Sequence, residues 1–150
     1  MRAVIQRVKE ARVEVEGSDK GLIEKGLLIL LGVEEADELA DVDWLVKKIT
    51  QMRIFSDEEG KMNLSVKDVQ GNILLISQFT LHASTKKGNR PSFIRAASAA
   101  KAEQLYQTAI AHFEKEMGHP IQTGSFGAHM QVHLLNDGPV TITMDSKDRE

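Results

Sequence analysis

The sequence predicts an α/β fold: a single compact domain spanning residues 1–150, with a mixed, largely antiparallel, barrel-like sheet and two main helices. Three observations lead there. Segments with apolar residues at period two open and close the chain, the pattern of strands with one face in a core. Two internal segments repeat their apolar residues at spacings of three and four, which is the helical period. Between them an unbroken apolar run, residues 73–76, has the length of a strand and no polar face, as expected of a strand buried on both sides.

In chain order, "RAVIQRV" and "RVEVEG" alternate apolar and polar residues, the sign of strands with one buried face. "GLIEKGLLILLGV" follows and ends in an apolar run of strand length. Leu39, Val42, Leu45, Val46, Ile49 and Met52 share one face of a helix, with Asp37 placed to cap it. That stripe is expected to pack on the sheet. The turn-like "SDEEGK" and the segment "SVKDVQGN" lead to the buried run. Ala102, Leu105, Tyr106, Ala109, Phe113 and Met117 form the stripe of a second helix, stopped by Gly118 and Pro120. The last third returns to strands, "HMQVHLL" and "PVTITMD", around "NDG".

Composition excludes several classes of function. A 150-residue chain buries about 70% of the surface exposed when unfolded, so it needs no covalent staple. Cysteine is absent, which removes disulfides, thiolate zinc sites and cysteine nucleophiles and fits a reducing compartment. "MRAVIQRVKEARVEVEG" carries a charge every few residues, unlike a signal peptide, and no apolar run approaches the ~20 residues of a membrane span. A cytoplasmic protein with no membrane partner is expected. The net charge of −3 offers nucleic acid no general attraction, so any such binding must rest on a local patch. No repeat or linker divides the chain.

His129 and His133 stand four apart, which on a helix would suggest a metal pair. Met130, Val132 and Leu134 alternate with them, so the segment reads as a strand, with the imidazoles about 13 Å apart at strand rise. His82, His112 and His119 show no ligand spacing either, and no metal or cofactor is expected. In "ISQFTLHA", strand parity would place Ser77, Phe79 and Leu81 on one side and Gln78, Thr80 and His82 on the other. Either the strand simply emerges wetted from the core, or its polar end is a reaction site. There is no "GxSxG" elbow, and Thr80 and His82 would be ~6.6 Å apart along a strand, too far for a direct hydrogen bond. "NDGPVT", residues 136–141, has two readings as well: an Asp-Gly hairpin, with Pro139 starting the outgoing strand, or a cis Gly138-Pro139 bond that turns its carbonyls in an unusual direction. "STKKGNRPSFIR" gathers Lys86, Lys87, Arg90 and Arg95. It is a solvated basic loop or the best local site for phosphate contact.

"SQFTL" at 77–81 and "NDGPVT" at 136–141 together resemble the two signature motifs of the D-aminoacyl-tRNA deacylase family, of the D-tyrosyl-tRNA deacylase type. "MRAVIQRV", "KGNRPSF" and "TGSFGAHMQV" also look like that family, so the resemblance spans essentially the whole chain. It implies a homodimeric esterase whose substrate and partner is aminoacyl-tRNA, cut between a D-amino acid and the terminal ribose. It implies that Ser77, Gln78, Phe79 and Thr80 shape the catalytic pocket and that Phe126 and Met130 line it. It implies too that a cis Gly138-Pro139 unit reaches into the partner subunit's active site and rejects L-amino acids by its backbone. Such a site should also accept achiral glycyl-tRNA. Lys86, Lys87 and Arg90 would contact the tRNA. Because the ester is already activated, positioned water aided by the ribose 2′-hydroxyl would suffice, with Thr80 as covalent nucleophile the rival mechanism. Two other classes remain open: a non-catalytic RNA-end-binding dimer, and a small-molecule esterase using Thr80 and His82.

Overall fold

The computed structural model describes residues 1–150. Its spine is β1 (Arg2–Val15), one strand of 14 residues where the two alternating segments suggested separate ones. The exposed Lys9 and Glu10 fall at a slip in the pairing register, so the chain bulges there and continues instead of turning. The C-terminal part of β1 pairs antiparallel with β2 (Ser18–Ile23), and its N-terminal part with β3 (Gly26–Gly32). After α1 (Leu39–Gln51), β4 (Phe55–Ser56) and β5 (Met62–Leu64) make a small separate ribbon. The strand β6 (Asn72–Ser77) then runs parallel to β3. Next come α2 (Ala99–Met117), β7 (Gln122–Thr123), which is parallel to β6, and β8 (Gln131–Asp145), antiparallel along the length of β1. The mixed six-stranded sheet curls into a nearly closed barrel, with β2 approaching β6 and β7.

Two cores result. Leu27, Ile29, Leu31, Ile73 and Leu75 face the larger one, where Val42, Leu45 and Ile49 of α1 and Tyr106, Ala109 and Phe113 of α2 cover the sheet. Leu28, Leu74 and Ile76 face the smaller one inside the barrel, with Val8, Val13 and Ile23. β3 and β6 therefore pack on both sides, which is why residues 73–76 carry no polar face.

Several expectations need correction. Glu38, not Asp37, occupies the N-cap of α1; the Asp37 carboxylate accepts instead from the Met1 ammonium and the Glu34 N–H. Leu39, at the start of the expected stripe, is exposed. "NDG" makes no hairpin. Both flanking runs belong to β8: Thr141 lies opposite Gln6 and Asn136 opposite Val8, so residues 137–140 bulge out against Arg7. Alternation on both sides of "NDG" reflects pairing with the same strand, which period alone cannot distinguish from pairing with each other. Gly118 does end α2, in left-handed backbone. No helix is long and apolar enough to cross a membrane.

Candidate active site

β6 stops at Ser77 because the chain turns there into a short 3-10 helix, Phe79–His82. The Gln78 N–H still donates to the Leu31 carbonyl, extending the ladder by one bond at 2.8 Å. Leu81 then bonds back to Gln78, and Ala83 to Thr80. Gly32 at the end of β3 makes the turn possible, since a Cβ there would lie 2.9 Å from the Gln78 carbonyl oxygen and 3.0 Å from Leu81 Cβ. The strand parity expected through His82 is therefore lost. Thr80 is exposed and His82 is 1% exposed, with neither of its ring nitrogens hydrogen-bonded. That removes the Thr80–His82 esterase. Gln78 Nε2 lies 2.6 Å from Thr80 Oγ1, and an amide is not a base at neutral pH, so nothing beside Thr80 takes its proton.

The turn leaves donors behind. No acceptor within the chain takes the Phe79 and Thr80 N–H groups, as expected of the first residues of a helical turn. Phe79 lines a cavity of about 420 Å³ together with Ser77, Gln78, Phe126 and Met130, and Thr80 follows it in the chain just outside that lining. The cavity floor is the seam between the two cores: Phe126 packs on the larger, Met130 and Val132 on the smaller. Tyr106 of α2 supports this wall from behind. Its ring lies 5.8 Å from that of Phe126, and its hydroxyl donates to the Leu75 carbonyl at 2.7 Å. Burial pushes the Tyr106 hydroxyl well above its ordinary pKa, so it stays a donor. The site is thus mostly apolar, with Ser77 and Gln78 on one rim and His129 also in the lining.

Gly138 and Pro139 line no part of this cavity. Their peptide bond is cis and Gly138 has φ of +135°. An added Cβ would lie 2.8 Å from Val140 Cγ2 and 2.9 Å from the Val140 nitrogen. The bulge is pinned by Arg7, a residue the motifs did not flag. Arg7 is 8% exposed; its Nε donates to the Asp137 carbonyl at 3.0 Å, and its Nη1 to the carbonyl of Ile54. One signal was available: Arg7 follows Ala3 and Ile5 on the core-facing parity of β1, where a charged side chain requires fixed partners. Asn136 Oδ1 accepts from the Val140 N–H at 3.2 Å and closes the loop.

Lys86, Lys87 and Arg90 are exposed on a loop closed by a bridge between Ser84 and Ser92. None makes an ion pair, whereas Arg95 is bound to Glu34 at 2.9 Å. The histidines are dispersed: His112 contacts Asp43 between the helices at 2.7 Å and His133 contacts Glu14. His129 and Met130 precede β8 instead of joining it. No three His, Asp or Glu residues converge to hold a metal ion. A second cavity, about 350 Å³ beside Arg2, Trp44 and Asp145, contains none of the candidate residues.

Residues 4–145 match the family described as D-Tyr-tRNA(Tyr) deacylase. The chain belongs to the D-aminoacyl-tRNA deacylase family. It is 60% identical to a D-aminoacyl-tRNA deacylase of Flavobacterium johnsoniae and 57% identical to one of Akkermansia muciniphila, each over 150 residues and the full length of both chains. Among solved structures, one described as a c-Myc DNA unwinding element binding protein superposes with a TM-score of 0.91 at 42% identity, covering 97% of this chain and 98% of that one. A probable eukaryotic D-amino acid tRNA deacylase superposes with a TM-score of 0.81, covering 95% and 97%; at 16% identity it speaks for the fold alone. The chain is thus an enzyme of a family of hydrolases acting on aminoacyl-tRNA.

Proposed function

We propose that residues 1–150 form one deacylase domain, working as a cytoplasmic homodimer, that hydrolyses D-aminoacyl-tRNA and glycyl-tRNA and spares L-aminoacyl-tRNA. The observation that carries this reading is the rim of the cavity: two main-chain N–H groups without acceptors beside a hydroxyl that nothing activates. Such a site suits attack by water on an ester carbonyl. The Phe79 and Thr80 N–H groups hold the developing oxyanion, and Ser77 and Gln78 offer polar groups to the substrate amine. Water adds to the carbonyl carbon, the bond to the ribose 3′-oxygen breaks, and that oxygen leaves as the hydroxyl of free tRNA. The ribose 2′-hydroxyl helps to remove the proton from water, and Thr80 forms no acyl-enzyme.

The distance of Gly138-Pro139 from the cavity supports the dimer reading. Gly138 lies six residues along β8 from Val132, a cavity-lining residue, which at strand rise is on the order of 15–20 Å. In this reading, as the family resemblance implies, the turn serves the cavity of a second copy. There its carbonyls occupy the space an L side chain would need, while reading only the amine, the carbonyl and the Cα hydrogen. Lys86, Lys87 and Arg90 take phosphates of the tRNA.

The test is hydrolysis of D-tyrosyl-, L-tyrosyl- and glycyl-tRNA side by side, without added metal. Loss of the D and glycyl esters with survival of the L ester is expected. Equal loss of D and L removes the backbone filter, and resistance of glycyl-tRNA removes the reading by common groups. An acyl-enzyme trapped on Thr80, together with an inactive Thr80→Val, replaces the water mechanism. Binding of tRNA without loss of any ester leaves a non-catalytic RNA-end-binding dimer.

A further inference from the structure

An exposed aromatic pair stands at the cavity mouth without a structural task. Phe79, at the start of the 3-10 turn, is 54% exposed. Phe93, brought beside it by the loop closed at Ser84 and Ser92, is 36% exposed, and Ile94 next to it is 92% exposed. The two rings meet edge to face, with centroids 5.1 Å apart and planes at 71°. In that arrangement the edge of one ring covers the face of the other, and the remaining faces stay open. Neither phenylalanine belongs to either core. Large apolar side chains clustered in water at the edge of a cavity mark a binding surface.

Charge narrows the occupant. The same loop carries Lys86, Lys87 and Arg90, all exposed and none in an ion pair, in a chain whose net charge is −3. An open aromatic face flanked by free cations fits a ligand with π faces joined by phosphates, as single-stranded nucleic acid has. A peptide or lipid surface would use the cations but has no need of an aromatic face.

We infer that Phe79 and Phe93 form a stacking shelf for an unpaired base of the single-stranded 3′ end of the RNA, with Lys86, Lys87 and Arg90 on the adjoining phosphates. The inference rests on the reading of the cavity as a site for aminoacyl-tRNA. It assigns Phe93, the last residue of "KGNRPSF", a part in base stacking. The shelf grips the end of the RNA irrespective of the amino acid attached, which suits an enzyme that must not read the side chain.

Phe93 is the residue to vary, because it lies outside the cavity lining and the hydrolytic rim. Phe93→Leu keeps apolar bulk without a π face, and Phe93→Tyr keeps the face. With D-tyrosyl-tRNA as substrate, Phe93→Leu and Phe93→Ala are expected to raise KM about tenfold with kcat unchanged, the size of effect that loss of one base–aromatic stack gives. Phe93→Tyr should match the parent. In competition, an acceptor-stem RNA hairpin with a single-stranded 3′ tail should inhibit the parent more strongly than the same hairpin cut flush, and Phe93→Leu should abolish the difference. Unchanged KM in Phe93→Leu, or equal inhibition by tailed and flush hairpins, overturns the shelf while leaving the deacylase reading in place. A thermal midpoint lowered in Phe93→Leu together with a fall in kcat also overturns it, since the role would then be structural. If the parent binds the tailed hairpin through Phe93 but cleaves no D-ester, the shelf stands and the proposed reaction falls.

Discussion

The end of β6 and the bulge of β8 carry the two motifs of the candidate site, and they are held in opposite ways. Residues 73–76 are at most 1% exposed, so Ser77 terminates a strand fixed by packing on both faces. Each such side chain contributes about 1.5–3 kcal/mol through burial, without directional demands. Residues 137–140 leave the β1 ladder, and Gly138 and Pro139 face solvent. They are oriented by one buried guanidinium and by Asn136, through hydrogen bonds worth about 0.5–3 kcal/mol each and sensitive to angle. A pocket wall needs bulk in the right place; a turn that must present its backbone needs geometry. Substitutions should therefore cost stability at β6 and activity at the bulge.

The sharpest break is Leu75→Ala. With Leu75 fully buried in the larger core, the cavity left behind should lower the unfolding free energy by ~2–5 kcal/mol, read as a shift in urea midpoint; a shift below ~1 kcal/mol would mean that β6 is not held by packing. Gly138→Ala should act mainly on rate. Its φ and the contact with Val140 force the turn to shift, and a displacement near 1 Å in a positioning element costs on the order of a hundredfold in rate. The strained backbone should also cost about 1–3 kcal/mol of stability, read as a urea-midpoint shift no larger than that of Leu75→Ala, so the loss of rate is the greater effect. Arg7→Lys joins the two effects: a lysine cannot span two carbonyls as a planar fork does. Loss of ~1–3 kcal/mol of stability is expected for the buried carbonyl left unpaired, with deacylation reduced about tenfold and more than stability alone explains. The smallest change is Tyr106→Phe. It removes one buried hydrogen bond, ~1 kcal/mol, and since the Leu75 carbonyl also accepts from the Gly124 N–H at 3.3 Å, KM and kcat should stay within about twofold.

The β6 end was legible in part. The apolar run 73–76 announced a doubly buried strand, and the polar residues after it announced a change. Period could not tell that the strand stopped at Ser77, because that depends on Gly32 in another strand admitting the turn. The bulge was legible as composition only. Asp-Gly between alternating runs has the same signature whether the runs pair with each other or with a third strand. Phe126 and Met130 came through the family motifs and no local period, since neither lies in regular structure. The pairing of Phe93 with Phe79 escaped because the two are fourteen positions apart, beyond any spacing rule.

By itself the sequence determined which side chains must leave water, the periods of the two helices and the alternating strands, the absence of thiol chemistry, and the motifs that place the chain in its family. These are local properties, set by the side chains and their spacing. The tertiary structure alone decided that Thr80 and His82 part company, that Phe79 and Thr80 keep free N–H groups, and that Arg7 holds a carbonyl 130 positions away. Each of these depends on register between distant strands, and register is fixed by the packing of the whole sheet, not by the residues of any one segment.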